Sequence, residues 1–140
     1  MDERLLQIRE YTGEGFQPLV HFGSWRIAVL RPGADTRAEG ITKMERHTQT
    51  DEAFVLTRGE GVLLIGGDGA QLDCVLAVTM EPEKTYNVRC NVWHAILLGR
   101  ESSVFIVENQ DTGTTNSEYA PLTPELRSLI SQIEKREAPE

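Results

Sequence analysis

The side chains best suited to chemistry are three histidines and the carboxylates near two of them. In the stretch Lys43-Met44-Glu45-Arg46-His47-Thr48-Gln49-Thr50-Asp51-Glu52, Glu45 and His47 stand two apart. On a strand that spacing puts both side chains on one face. Glu52 opens the next apolar run and shares parity with Phe54 and Leu56. His94, in Val92-Trp93-His94-Ala95-Ile96-Leu97-Leu98, shares parity with Ile96 and Leu98. If these faces point inward, His94 sits in a largely apolar cavity. Imidazole and carboxylate groups hydrogen-bond one another, and imidazole moves protons near neutral pH.

Other candidates carry less. His21 precedes a glycine and reads as an edge or surface residue. Trp93 suits a core, a ligand pocket or a subunit contact. Arg26 alternates with bulky Trp25, Ile27 and Val29, so it is expected to face solvent; facing a cavity, it would clamp a carboxylate. Tyr86 reads as core, or as a hydrogen-bond donor in a pocket. Cys74 and Cys90 form no CxxC pair and are expected to be free thiols, Cys90 lying close to His94. No serine sits in a G-x-S-x-G elbow, and no phosphate loop is present.

The elements that must position these groups read as strands. Residues 2–9 suit one or two helical turns, with Leu5, Leu6 and Ile8 seeking a core, before Gly13, Gly15 and Pro18 break the helix. Strand character is expected from Leu19 onward. Runs follow at 24–30, 53–57, 61–65, 71–80, 86–88, 92–98 and 104–108. Arg58-Gly59-Glu60 reads as a hairpin link, and Gly66-Gly67-Asp68-Gly69 as a turn. Val104-Phe105-Ile106-Val107 is apolar throughout, which predicts cover on both faces. Thr123 then fits an N-cap and Pro124 the first helical position. Leu126, Leu129, Ile130 and Ile133 recur on one helix face, and a frayed tail is expected over 137–140. Short strands, glycine-rich turns and one terminal helix describe an all-β sandwich or jelly roll. The organisation expected is an extension over 1–18, a barrel over 19–120, and a helix and tail over 121–140, all one domain.

Composition narrows the partners. The 140 residues carry a net charge of -8. An acidic surface repels phosphate backbones and anionic lipid, so neither nucleic acid nor a membrane is expected as a partner. No apolar run reaches the roughly 18 residues of a bilayer span. The opening MDERLLQIRE lacks the basic and then apolar pattern of a signal peptide, and the reading is a cytoplasmic protein.

The two halves of the candidate site resemble the cupin superfamily. Its first motif is usually a glycine, five residues, His-x-His, three or four residues, a glutamate, six residues and a glycine. Here Glu52 and Gly59 fit the second half, His47 fits the second histidine, Glu45 replaces the first, and Gly40 is one residue off register. His94 fits the histidine of the second motif. Glu83, Arg89 and Asn91 stand where that motif has glycine, proline and glycine, and Leu98 replaces its asparagine. The resemblance spans roughly Leu19 to Asn109.

It implies a double-stranded β-helix (jelly-roll) barrel with the C-terminal α-helix packed outside it. It also implies a divalent metal site at His47, Glu52 and His94, with Glu45 as a possible fourth ligand and Gln49 as a weaker substitute. Iron, manganese, nickel and zinc all suit such a mixed set. A small polar metabolite would pack against Phe54, Leu56, Ile96 and Leu98, with Tyr86 and Trp93 nearby. A homodimer is implied as well, with residues 1–30 as the expected contact. Two alternatives stay open. In one, the cupin is metal-free and binds or senses a small ligand, with the histidines only orienting it. In the other, Val92-Trp93-His94-Ala95 and Phe105-Ile106-Val107 look somewhat like ureidoglycolate lyase, itself a cupin-fold enzyme.

Overall fold

The computed structural model describes residues 1–138. Ten strands and one α-helix follow one another along the chain. They are β1 (Gly15–Phe22), β2 (Trp25–Arg31), β3 (Lys43–His47), β4 (Glu52–Arg58), β5 (Gly61–Ile65), β6 (Leu76–Thr79), β7 (Thr85–Val88), β8 (His94–Leu98), β9 (Ser103–Asn109), β10 (Ser117–Pro121) and α1 (Pro124–Glu137). They form two five-stranded sheets, ordered β1-β2-β9-β4-β7 and β10-β3-β8-β5-β6. Every recorded pairing is antiparallel.

Strand periodicity divides the apolar residues between two cores. Ala28, Leu30, Phe54, Leu56, Val104 and Ile106 of the first sheet meet Leu63, Ile96 and Leu98 of the second. That contact closes the barrel. The residues between them on β3, β5 and β8, such as Met44, Val62, Leu64 and Leu97, point the other way and pack on Leu126, Ile130 and Ile133 of α1. The helix therefore covers the outside of the second sheet. The Thr123 side chain accepts from Leu126 N at its start, with Pro124 in the first turn. Such a cap contributes about 1 kcal/mol.

Several expectations need correction. Residues 2–9 hold a single hydrogen-bonded turn, Leu5 N and Leu6 N donating to the Asp2 carbonyl, and Leu5, Leu6 and Ile8 are exposed rather than in a core. Three apolar residues in an eight-residue segment with glycines beyond it are too few to carry a helix without a partner to pack on. Strand structure begins at Gly15, before Leu19. Arg58-Gly59-Glu60 is not a hairpin: β4 and β5 lie in different sheets, and the link crosses between them. Gly59 makes the crossing at φ +84°, where an added Cβ would meet Ser102. The strand expected over 71–80 shrinks to Leu76–Thr79. Phe105 and Val107 are over 40% exposed, because α1 covers the other sheet and leaves this outer face open. Part of the expected frayed tail, Glu137, ends α1; Pro139 and Glu140 lie outside the described residues. Among the described residues no helix is long and apolar enough to cross a membrane.

Candidate functional site

Four strands bring the site together. His47 ends β3, Glu52 begins β4, His94 begins β8, and Glu108 lies near the end of β9. All four are buried. Three of them share the inward face of their strands with barrel-core residues: Phe54 and Leu56 beside Glu52, Ile96 and Leu98 beside His94, Val104 and Ile106 beside Glu108. His47 Nε2 and His94 Nε2 lie 3.0 and 2.8 Å from the same atom, Glu52 Oε1. The imidazole rings stand edge to face, 5.3 Å apart between centroids.

The far nitrogens of the two rings are held differently. His94 Nδ1 donates to the Val92 carbonyl at 3.0 Å. A carbonyl only accepts, so Nδ1 carries a proton. A neutral His94 then offers a lone pair at Nε2, facing a carboxylate oxygen. That contact is satisfied by a second proton on the ring or by a cation. His47 Nδ1 lies 2.8 Å from the Ser117 hydroxyl, which can donate or accept, so either tautomer of His47 keeps this bond. The loop before β8 braces the strand: Asn91 N and Cys90 Sγ both donate to the His47 carbonyl.

The charges settle around Glu52. Burial pushes its carboxyl up, but the hydrogen bonds from His47 and His94 outweigh this and hold it down at about 2. Burial disfavours the charged form of both histidines. Hydrogen bonding to Glu52 and its charge win, and both sit above the ordinary 6.5. Glu108 moves the opposite way. Burial, and then the charge of Glu52, raise it to about 7 against the pull of Arg26.

Arg26 faces the cavity rather than solvent, which corrects the sequence reading. It gives 2.7 and 3.2 Å hydrogen bonds to Glu108 Oε2 and reaches the Gln110 and Thr112 carbonyls. On β2 the inward set is Arg26, Ala28 and Leu30; the bulky alternation of Trp25, Ile27 and Val29 belongs to the outer face. Glu108 was not singled out from the sequence. Its signal was a lone charge with the parity of Val104 and Ile106, at the end of an otherwise apolar run.

These groups line a cavity of about 340 Å3. Its walls include Leu30, Phe54, Ile96 and Ile106, with Phe16, Lys43 and Tyr119 among its exposed residues. Glu45 lines it too, with its side chain 43% exposed and Oε1 3.8 Å from His47 Nε2. Of the expected pocket residues, Phe54 and Ile96 line the cavity. Leu56 and Leu98 pack in the barrel core beyond it. Tyr86 only borders that core, and its hydroxyl accepts from Glu81 N. Trp93 points outward, as the neighbour of inward His94 must. It packs in the core under α1, with Nε1 donating to the Gly69 carbonyl and Arg46 over its ring. Gln49 and His21 are exposed and away from the cavity.

The donor atoms suit one small cation. Donors at about 2.1 Å from an ion lie roughly 3.0 Å apart when adjacent and 4.2 Å when opposite. The two contacts to Glu52 Oε1 fit the first separation. Donor atoms of Glu45, His47 and His94, and of His47, Glu52 and Glu108, each lie within 4.8 Å of one another.

No protein-family model matches the chain, and no curated protein matches its sequence. Solved structures do resemble its fold. Streptomyces Pac13, described as a nucleoside dehydratase, is 10% identical at a TM-score of 0.55, over 82% of this chain and 86% of Pac13. A second Pac13 structure, solved with uridine, matches with the same identity and TM-score. The capsular polysaccharide assembling protein CapF from Staphylococcus aureus is 17% identical at a TM-score of 0.57, over 87% of this chain but only 34% of CapF. At these identities the likeness is one of fold, and that fold is a cupin-type β-barrel with a C-terminal helix.

Proposed function

We propose that this chain holds a divalent cation at His47, Glu52 and His94, and that it takes a small polar metabolite into the barrel beside that cation and acts on it. The observation that carries the reading is His94. Its Nδ1–H is committed to the Val92 carbonyl, and its Nε2 is aimed at Glu52 Oε1. A cation turns two opposed acceptors into two ligands. Bound there, it would supply a Lewis acid for a carbonyl, carboxylate or hydroxyl of the ligand. The cavity falls within the usual size range for small-molecule sites. Its apolar wall of Phe54, Ile96 and Ile106 would exclude water around the polar centre. Uridine, with which the similar Pac13 was solved, is one ligand to present to it.

Elemental analysis of the purified protein tests this reading. About one ion per chain is expected, with most of it lost in His94→Ala. One observation favours the metal-free alternative: Glu52 raises both histidines, and an imidazolium at His94 would satisfy the same contact. A protein free of metal after purification, and unable to take one up, would establish that alternative.

We also propose a homodimer. Phe22, Trp25, Phe105 and Val107 leave an apolar outer face on the first sheet, and Leu5 and Ile8 of the N-terminal segment are exposed as well. A second copy would cover such a face.

A further inference from the structure

We propose that Glu108, rather than Glu45, completes the cation site, with Oε1 as the ligand atom and Arg26 holding the other oxygen in place. The inference rests on the metal reading above and adds a ligand from a strand outside both sequence motifs. Glu108 Oε2 is occupied by Arg26 Nη2 and Nε. Glu108 Oε1 is buried and has no hydrogen-bond partner among the described residues. The side chain is only 2% exposed, and Oε1 stands 4.0 Å from His47 Nε2. Native proteins rarely leave a buried carboxylate oxygen unpartnered, so this atom marks a place for something else.

The surroundings select a cation. With both carboxylates ionised, Glu52 Oε1 and Glu108 Oε1 are acceptors 3.0 and 4.0 Å from His47 Nε2, and the Nε2 of a neutral His94 faces the same Glu52 oxygen. A water molecule brings only two protons to such a cluster, whereas a cation gains from every additional oxygen. Glu45 is in a different position. Its side chain is nearly half exposed and can be hydrated at the cavity rim. The resulting set is two imidazole nitrogens and two carboxylate oxygens, from His47, His94, Glu52 and Glu108. Oxygen-rich sets of this kind suit Mn2+ or Fe2+, and no thiolate is present to favour softer ions.

The test is calorimetric titration of the chelator-stripped full chain with Mn2+, together with the Mn2+ electron paramagnetic resonance spectrum. Wild type, Glu108→Gln, Glu108→Asp and Glu45→Gln are compared. Glu108→Gln is expected to weaken Mn2+ binding by about 10–100-fold and to change the spectrum, and Glu45→Gln to weaken it less. Glu108→Asp keeps the charge opposite Arg26 but retracts the oxygen, so it too should bind more weakly; it serves as the folded control if the glutamine variant does not fold. Affinity and spectrum unchanged in both Glu108 variants, with wild type binding, would overturn the inference and leave the metal site standing. A wild type that binds neither Mn2+ nor Fe2+ would overturn both.

Discussion

Replacing Glu108 with glutamine should change stability in a way that depends on pH. In the cation-free protein the Glu108 carboxyl is raised from 4.5 to about 7. Below 4.5 it is protonated in the folded and the unfolded chain alike, and glutamine imitates it closely. Between 4.5 and about 7 the unfolded chain releases the proton while the folded chain retains it. The folded state then binds more protons, so wild-type stability falls as pH rises through this window. At about 1.4 kcal/mol per pH unit, the loss approaches 3 kcal/mol at pH 8. Glutamine does not titrate, and its amide oxygen still accepts from Arg26. Urea unfolding in a chelator at pH 4.5 and pH 8 measures the difference. The variant should match wild type at the lower pH and exceed it by up to about 3 kcal/mol at the higher. A pH-independent difference would refute the reasoning. So would wild type gaining on the variant as pH rises, since that would mean Arg26 keeps Glu108 ionised throughout.

Three further outcomes are expected. Metal affinity should fall as pH drops, beginning above 6.5, because Glu52 holds protons on both histidines more tightly than usual and those protons compete with the ion; titration calorimetry across pH 5.5–8 (roughly the histidine range) reads it, and a flat profile would contradict it. Gly59→Ala puts a Cβ 2.3 Å from Ser102 Oγ and 2.7 Å from Ser102 Cα at φ +84°; thermal melting should show a loss of about 1–3 kcal/mol or more, and an unchanged melting temperature would count against the crossing geometry. Light scattering should give twice the 15.7 kDa chain mass; a monomer at micromolar concentration would remove the dimer.

The convergence of Glu52 and His94 was legible because strand parity is local: each shares a face with apolar neighbours two residues away, whereas His47 shares its face with Glu45 and was placed by the spacing of the motif. By the same rule Trp93 had to point outward once His94 points inward, so its placement in the pocket was avoidable. Arg26 was harder. Its strand carries bulky residues on both parities, and only the pairing of β2 with β9 shows that Arg26 meets Glu108. Glu108 depends on that same long-range pairing. The link at Arg58-Gly59-Glu60 has the length of a hairpin turn, and local sequence does not say whether a chain reverses within a sheet or crosses to another. The exposure of Phe105 and Val107 likewise follows from the sheet on which α1 comes to rest, which is a tertiary choice.

A cation at His47, Glu52 and His94 is tested most directly by anomalous diffraction. Crystals grown with Mn2+ should show one strong anomalous peak inside the barrel, in contact with His47 Nε2, His94 Nε2 and Glu52. A barrel with no anomalous peak, in which both imidazoles still hydrogen-bond Glu52 Oε1 directly, would contradict the account.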